Sequence, residues 1–257
     1  MQIKALLLLL MFLNFFLVTG CFNSNHPQTA GEHITITDSI GRQVSIPRQI
    51  TKAVVSNRYN MEIIKSIGAA DKVIGVDYGI YQDQTAYGAF FDSNQVIGKT
   101  QNELNYEKII ELNPQLLVIT SNGSWQDADK KLAPFGIKTV VMDAYYTSKF
   151  ADTYTLAGKI FNKEPEAAAF IDYFQTKLQY IQTALKDIPK KTVYFEYKKS
   201  GTTTVPGDYF FDMLEYAQAD NIFKTAKSTE IDIEAVVQKN PDVIIKVGAA
   251  GVDPQYI

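Results

Sequence analysis

The stretch NYEKIIELNPQLLVIT at residues 105–120 decides the fold, because it has an echo, DIEAVVQKNPDVIIKV, at residues 232–247. In each copy a capping residue, Asn105 or Asp232, precedes apolar positions spaced three and four apart, and Asn-Pro then leads into an apolar run. Each copy therefore predicts a short helix that leads into a buried strand. Two such units so far apart predict two similar α/β lobes, each with its own parallel sheet.

The amino terminus has the pattern of an exported and lipid-anchored protein. Residues 1–20 carry one basic residue, Lys4, before an apolar run, which predicts a signal peptide. Val-Thr-Gly then precedes Cys21, the only cysteine of the chain, and this end resembles the lipobox of bacterial lipoproteins, whose cysteine is lipidated. The alternatives are a transmembrane anchor or a chance thiol, but the run is short for a membrane span. The mostly polar residues 21–33 predict a lipid-anchored tether.

Composition and motifs argue against enzymes and nucleic-acid partners. Hydrophobic residues make up 46% of the chain, enough for a core, and a net charge of −3 gives no electrostatic footprint for nucleic acid. The sequence has no glycine motif for a nucleotide and no G-x-S-x-G, and its two histidines, His26 and His33, precede the first predicted lobe. A nucleotide-dependent enzyme and a secreted hydrolase are therefore disfavoured. We predict a protein that is not an enzyme and has no cofactor.

Alternating strand and helix patterns outline the two lobes. Alternation around Asp38-Ser39-Ile40-Gly41-Arg42 predicts a β-hairpin that opens the first lobe, residues 34–147. Strands in a parallel sheet are then expected at residues 53–55, 73–76, 116–119 and 138–141. The loops beyond their carboxyl ends, where ligands of such sheets sit, include residues 77–91. The second lobe, residues 190–257, begins with a predicted strand at residues 192–196, followed by a helix at residues 209–217 and the echo.

Residues 148–189 break this alternation and predict two helices. The second helix begins near Pro165, a tolerated first-turn residue, and its twenty-odd residues span roughly 30 to 35 Å. We interpret it as a bridge between the lobes, and the alternative is an ordinary crossover helix within one lobe. The second lobe is shorter than the first, and we expect that final strand and helix units are missing from this sequence.

Together these features resemble the substrate-binding lipoproteins of ABC importers for iron siderophores, haem and cobalamin. The resemblance rests on the lipobox, the D-x-x-G-R hairpin, the N-x-E-x-I-x-x-L-x-P stretch at residues 105–114, its echo and the long helix. It implies two α/β lobes bridged by one helix, with the ligand in the cleft between them. It also implies that Glu107 and Glu234, one in each lobe, dock onto arginines of an ABC permease dimer. The alternative is that each carboxylate only stabilises the dipole of its own helix.

The residues in the predicted cleft loops suggest which ligand this protein would bind. Aromatic side chains with a polar tip suit a large, partly apolar chelate, and a guanidinium suits its anionic oxygens. The candidate ligand contacts are Arg58, Tyr59, Tyr78, Trp125, Tyr145 and Tyr197. For each tyrosine the alternative is a half-buried place at a sheet edge without contact to a ligand.

The sequence therefore predicts an extracytoplasmic binding lipoprotein, anchored to a bacterial membrane at the cell surface or in the periplasm. Its expected ligand is a ferric siderophore or related iron chelate, with iron entering only as part of the chelate and no metal site in the protein itself. A cobalamin or haem receptor of the same build is an alternative. An alternative of another class is a surface-anchored structural or adhesion module, which would not explain the matched glutamates.

Overall fold

The structure, a computed structural model, describes residues 32–197 and 199–247. The predicted signal peptide at residues 1–20, the predicted lipidation at Cys21 and most of the predicted tether lie outside the described residues. His33, which we assigned to that tether, is the first residue of a strand. Within the described part of the chain, no helix has both the length and the apolar character needed to cross a membrane.

A β-hairpin opens the described chain, as predicted. β1 (His33–Thr37) pairs antiparallel with β2 (Gln43–Pro47). In the turn, the buried Asp38 carboxylate accepts hydrogen bonds from the backbone N–H and the Nε of Arg42, both at 2.9 Å, and Gly41 has the positive φ of 83° that the turn requires. Arg42 also donates to the carbonyl of Thr139 at 2.9 Å. The D-x-x-G-R motif thus fastens the hairpin to the first sheet.

The first lobe is built on a four-stranded parallel sheet in the order β4-β3-β5-β6. Its strands are β3 (Ala53–Val55), β4 (Val73–Val76), β5 (Leu116–Ile119) and β6 (Lys138–Val141). Its helices are α1 (Arg58–Ser66), α2 (Tyr78–Tyr81), α3 (Gln84–Tyr87), α4 (Tyr106–Leu112) and α5 (Trp125–Leu132). Apolar clusters cover both faces of this sheet, which is why its strands are nearly continuous apolar runs.

The short helices α2 and α3 lie in residues 77–91, where we predicted only a loop, so that prediction was wrong in detail. The side chains of Asp77 and Asp83 cap them, accepting hydrogen bonds at 3.1 Å from the N–H groups of Ile80 and Ala86. Helices of four residues are too short to show apolar periodicity. The capping aspartates were therefore the only signal in the sequence.

Two helices follow the first sheet in the chain, and the second of them connects the lobes. α6 (Phe150–Phe161) packs into the core of the first lobe, and α7 (Glu164–Leu185) follows it. The 22 residues of α7 give it a length of about 33 Å. The ring of Phe174 on α7 stacks on that of Phe150, with centroids 3.9 Å apart. Because α7 leads from the first sheet to the second, it is the predicted bridge and not a crossover helix within one lobe.

The second lobe has a three-stranded parallel sheet in the order β8-β7-β9. Its strands are β7 (Thr192–Tyr197), β8 (Asp220–Asn221) and β9 (Val243–Val247), and its helices are α8 (Tyr209–Tyr216) and α9 (Ile233–Lys239). We did not predict β8, since two residues carry no pattern and only their pairing with β7 makes them a strand.

The two echo units have the same geometry. α4 and α9 each have seven residues, and the capping side chains of Asn105 and Asp232 accept first-turn N–H groups at 3.0 and 2.9 Å. Both helices end at an asparagine in the left-handed conformation, with φ of 50° at Asn113 and 41° at Asn240. The proline that follows cannot continue the helix. The echo is thus a structural repeat, and the predicted architecture of two α/β lobes joined by one long helix is confirmed.

Candidate functional site

A pocket of about 460 Å³ lies between the two lobes, at the carboxyl ends of their strands. The first lobe contributes the residues that follow β5 and β6, and the second contributes the end of β7 and the start of α8. We call this the cleft pocket, and its lining residues are Ser121, Asn122, Tyr145, Tyr146, Tyr197, Asp208 and Tyr209. The carboxyl edge of a parallel sheet is where ligands bind in open α/β folds.

Tyr145 is the centre of an aromatic cluster that includes residues of both lobes. The centroid of its ring lies 4.6 Å from that of Tyr146, 5.9 Å from that of Tyr209 and 6.2 Å from that of Tyr59. Tyr209 belongs to the second lobe, and its hydroxyl donates to the hydroxyl of Tyr197 at 2.6 Å. These five residues form the tyrosine cluster, which brings phenol groups from both lobes to one place.

The phenols at the centre of this cluster stay protonated well above neutral pH. Burial raises the pKa of Tyr145 to about 12; the hydrogen bond with Ser121 opposes the rise and the charge of Asp143 adds to it. Burial and the hydrogen bond with Tyr197 also raise the pKa of Tyr209. Tyr145 and Tyr209 therefore offer neutral hydroxyls, which can both donate and accept hydrogen bonds.

A polar network holds the first-lobe loops of the cleft pocket. The carboxylate of Asp143 accepts a hydrogen bond from the N–H of Ser121 at 2.8 Å. The side-chain amide of Gln101 donates to Asn122 at 2.8 Å and accepts from Asn57 at 3.1 Å. Asn57 has a φ of 85°, an uncommon and strained conformation for a residue with a side chain. The loops are thus fixed in place by their own side chains before any ligand arrives.

A second polar pocket, also about 460 Å³, lies beside Arg58 and is lined in part by Asn57, Lys99 and Gln101. The side chain of Arg58 is 50% exposed and forms an ion pair with Asp83. An anionic ligand at this place would therefore compete with Asp83 for the guanidinium. Across residues 32–197 and 199–247, no group of three or more His, Cys, Asp or Glu side chains could hold a metal ion.

An apolar cavity of about 470 Å³ shares part of the tyrosine cluster and is bounded by the bridging helix α7. We call it the helix-side cavity. Besides Tyr145, Tyr146 and Tyr209, its walls include Phe174, Leu178 and Ile181 of α7 and Phe210 and Met213 of α8.

Half of the six ligand contacts predicted from the sequence come together in the tyrosine cluster. Tyr59, Tyr145 and Tyr197 are its members among those six, and Arg58 lies in the neighbouring polar pocket.

The other two predicted contacts, Tyr78 and Trp125, lie apart from the cluster. Tyr78 is about half exposed and its ring lies 6.1 Å from that of Tyr81. Trp125 lies against the guanidinium of Arg42, which is 4.4 Å from the centroid of its ring. Among the described residues, neither Tyr78 nor Trp125 is part of the lining of the cleft pocket or the helix-side cavity.

Tyr209 is a central site residue that was not among the predicted contacts. It is the first residue of α8, whose capping residue is Asp208. The sequence did predict a helix from residue 209, and a helix that follows β7 starts at the carboxyl edge of its sheet. Its first turn therefore faces the cleft, so the position of Asp208 was the signal that could have found Tyr209.

Glu107 and Glu234 occupy matching places in the first turns of α4 and α9, and both are exposed. Each of these helices leads through Asn-Pro directly into a strand of its sheet and so runs antiparallel to that strand. The first turn of each helix therefore lies at the carboxyl edge of its sheet, the edge at which the cleft pocket lies.

Known proteins share this sequence pattern and this fold. A family model described as periplasmic binding protein matches residues 54–253. The uncharacterized ABC transporter substrate-binding lipoprotein YvrC of Bacillus subtilis is 28% identical over 221 residues, which cover 82% of this chain and 68% of that protein. The petrobactin-binding protein YclQ of Bacillus subtilis is 23% identical over 267 residues, which cover 95% of this chain and 80% of that protein.

More distant relatives extend the comparison. The vitamin B12-binding protein of Salmonella paratyphi A is 26% identical over 161 residues, which cover 59% of this chain and 58% of that protein. The crystal structure of YclQ superposes with a TM-score of 0.68 at 19% identity, covering 84% of this chain and 77% of that one. Among such relatives the chain spans between 53% and 80% of their length. The family match covers most of the chain and confirms both the resemblance and the prediction of a binding protein rather than an enzyme: the chain belongs to the periplasmic binding protein family.

Proposed function

We propose that the chain is an extracytoplasmic solute-binding lipoprotein that captures a ferric siderophore or related iron chelate and delivers it to an ABC permease. The observation that carries the proposal is the tyrosine cluster at the cleft pocket, to which both lobes contribute phenol groups. A ligand held by groups from two lobes bridges them, so that the protein can present a loaded form to its permease.

The chemistry of the cleft suits a metal that is already wrapped in a chelator. Neutral phenols and the amide of Asn122 hydrogen-bond to the oxygen atoms of a chelate, and the tyrosine rings pack on its apolar parts. Arg58 beside the cleft supplies a cation for anionic oxygens. The petrobactin-binding relative matches 95% of this chain, which further supports an iron chelate. The vitamin B12-binding relative, matching 59%, makes cobalamin the second candidate.

Two observations support a place outside the cytoplasm. The sequence has a signal-peptide pattern that ends at Cys21, and the relative YvrC is named a lipoprotein. We therefore propose that Cys21 is lipidated and tethers the binding lobes to a bacterial membrane. Mass spectrometry of the membrane-extracted chain tests this, since a lipid on the amino terminus is expected in the native chain and is lost in Cys21→Ser.

Calorimetry of the full chain tests the choice of ligand. Ferric petrobactin, haemin and cobalamin are titrated separately, and we expect saturable binding of the ferric siderophore at micromolar affinity or tighter. Tyr209→Ala should weaken this binding at least tenfold, because it removes a phenol from the cleft. The matched control is Tyr180→Ala, since Tyr180 is 72% exposed on α7. Saturation by cobalamin or haemin alone would replace the iron siderophore, and no saturation by any of the three would overturn the proposal.

We further propose that Glu107 and Glu234 dock the two lobes onto a permease. Their support is the matched geometry: one exposed carboxylate in each lobe, both at the carboxyl edges of the sheets. Two separated charges set the orientation of a partner, and exposed charges chiefly steer its approach.

Uptake of radioactive iron by cells tests the docking proposal. The double variant Glu107→Gln/Glu234→Gln should lose uptake while its affinity for the chelate is unchanged. The control variant Asp71→Asn/Asp187→Asn removes two exposed carboxylates that precede β4 and β7, at the opposite edges of the sheets, and should keep uptake. Normal uptake by the glutamate variant would contradict docking and leave each glutamate as a stabiliser of its helix.

A further inference from the structure

The helix-side cavity has a different chemistry from the cleft pocket. The described residues that line it are aromatic, aliphatic or otherwise uncharged, and the bridging helix supplies Phe174, Leu178 and Ile181 as one of its walls. The cleft pocket instead has Ser121 and Asp208 in its lining, along with its tyrosines. At about 470 Å³ the helix-side cavity is within the size range of small-molecule sites.

The two spaces share three lining side chains. Tyr145, Tyr146 and Tyr209 line both of them, so that a molecule in contact with these rings can extend into either. The rings of Tyr145 and Tyr209 meet edge to face at 5.9 Å, with one tyrosine from each lobe. A single ligand with a polar and an apolar part would therefore match the cleft pocket on one side of these rings and the helix-side cavity on the other.

We propose that the ligand is amphiphilic, with its metal-binding head in the cleft pocket and an alkyl chain in the helix-side cavity. This inference rests on the proposed function, because it assumes that a chelate binds at the tyrosine cluster. The uncharged walls favour an alkyl chain over a charged or sugar-like group, since a charge buried there would have no partner among the described lining residues. α7 is then part of the binding site as well as the connection between the lobes.

Two matched probes test the inference with the full chain. Ferric acetohydroxamate and ferric octanohydroxamate share one head group and differ only in the length of the alkyl chain. Each methylene removed from water tightens binding by about fourfold, so burial of two to three of the six additional methylenes should make the octanohydroxamate complex bind about thirtyfold more tightly. Tyr209→Ala should weaken both complexes, because the head group of each contacts the tyrosine cluster.

Variants in the wall of the helix-side cavity test where the alkyl chain lies. Ile181→Gln places an amide in the cavity wall and should remove most of the advantage of the octanohydroxamate complex. Ala217→Trp, at an exposed position that also lines the cavity, should do so by filling it. Tyr180→Gln is the matched control, because Tyr180 neighbours Ile181 on α7, is 72% exposed and does not line the cavity.

The outcomes separate this inference from the function it rests on. Equal affinity for both complexes, with both weakened by Tyr209→Ala, would overturn the alkyl-chain site and keep the chelate site. An advantage of the longer chain that survives both Ile181→Gln and Ala217→Trp would also overturn it, since the chain would then lie elsewhere. Binding of neither complex would count against the proposed function and this inference together.

Discussion

Each lobe contains one copy of the unit in which a helix leads through Asn-Pro into a strand, but the copy in the first lobe is more buried than the copy in the second. In the first lobe every residue of β5 is fully buried, whereas β9, its counterpart in the second, is exposed at its first residue and half-buried at the others. Ile109 on α4 is 0% exposed and its neighbour Ile110 is partly buried, while Val237, which corresponds to Ile110, is 76% exposed.

The lobes also differ in the residue near the carboxyl end of the repeated strand. Where β5 has the buried Ile119, β9 has Lys246, whose ammonium lies 3.0 Å from the carboxylate of Glu196 on β7. Glu196 is 5% exposed, so the second sheet contains a nearly buried ion pair at a place where the first is apolar. The repeat therefore preserves local geometry, while the packing around it sets how much each copy contributes to stability.

The largest expected effect comes from removing matched side chains of the two strands. Leu117→Ala in β5 should lower the free energy of unfolding by between about 2 and 5 kcal/mol, because Leu117 is fully buried and leaves a cavity. Ile244→Ala at the matching place in β9 should cost about half as much, because Ile244 is only partly buried. Urea unfolding followed by far-ultraviolet circular dichroism measures both, and equal losses would contradict the difference in burial.

A second prediction uses the ion pair of the second lobe. Lys246→Met should cost about 2 to 3 kcal/mol at pH 7, less than a fully buried pair because Lys246 stays 18% exposed. The cost arises because Glu196 remains charged without its cation. Adding Glu196→Gln to this variant should restore part of the loss, which is the control for a change in packing alone.

The same pair should make the second lobe sensitive to acid. Burial raises the pKa of Glu196, but the hydrogen bonds from Lys246 and Tyr194 outweigh burial and hold the pKa below its usual value. Its contribution to stability is thus present above the unfolded-state pKa of about 4.3 and is lost as the pH falls below it. Unfolding free energies at several pH values should show the cost of Lys246→Met shrinking in that window. A cost independent of pH would contradict this origin.

The sequence alone predicted most of the fold, for reasons that particular elements make clear. β3 and β5 were predicted at their observed residues, because strands buried on both faces are apolar runs with polar neighbours. The strand β8 was missed because it exists only through its pairing with β7, a contact far along the chain. The strand β8 and the short helices α2 and α3 depend on such a contact or on a single capping side chain, and periodicity cannot reveal them.

The candidate site was less predictable than the fold. Tyr145 and Trp125 both follow strands of the first sheet, and the sequence gives no reason to separate them. The structure places Tyr145 in the tyrosine cluster and Trp125 against Arg42 of the hairpin turn. The direction of a side chain depends on the path of its loop, and that path depends on buried partners such as Asp143, which accepts the N–H of Ser121. A pattern in the sequence does not contain these contacts.

A fourth prediction concerns a loss of unfolding free energy that should be the same in both lobes. Asn113→Ala and Asn240→Ala should each lower the free energy of unfolding by about 1 kcal/mol, because alanine tolerates the left-handed conformation less well than asparagine. The effect is local to the helix end, so the difference in burial between the lobes should not change it. Asn→Gly at each position is the control and should be neutral or slightly stabilising. Urea unfolding measures both losses of free energy, and unequal losses would show that the packing around each helix end also contributes.

The smallest effect is expected from the two matched glutamates. Glu107→Gln and Glu234→Gln should each cost about 0.3 to 1 kcal/mol, because a carboxylate in the first turn stabilises the helix dipole. The cost should be equal in the two lobes and should fall as salt is added, since both side chains are exposed. Thermal unfolding at low and high salt measures it. Losses this small leave both lobes folded. A loss of iron uptake by the double variant would then be caused by impaired docking and not by unfolding. A loss of several kcal/mol would remove that distinction and assign the glutamates a structural role.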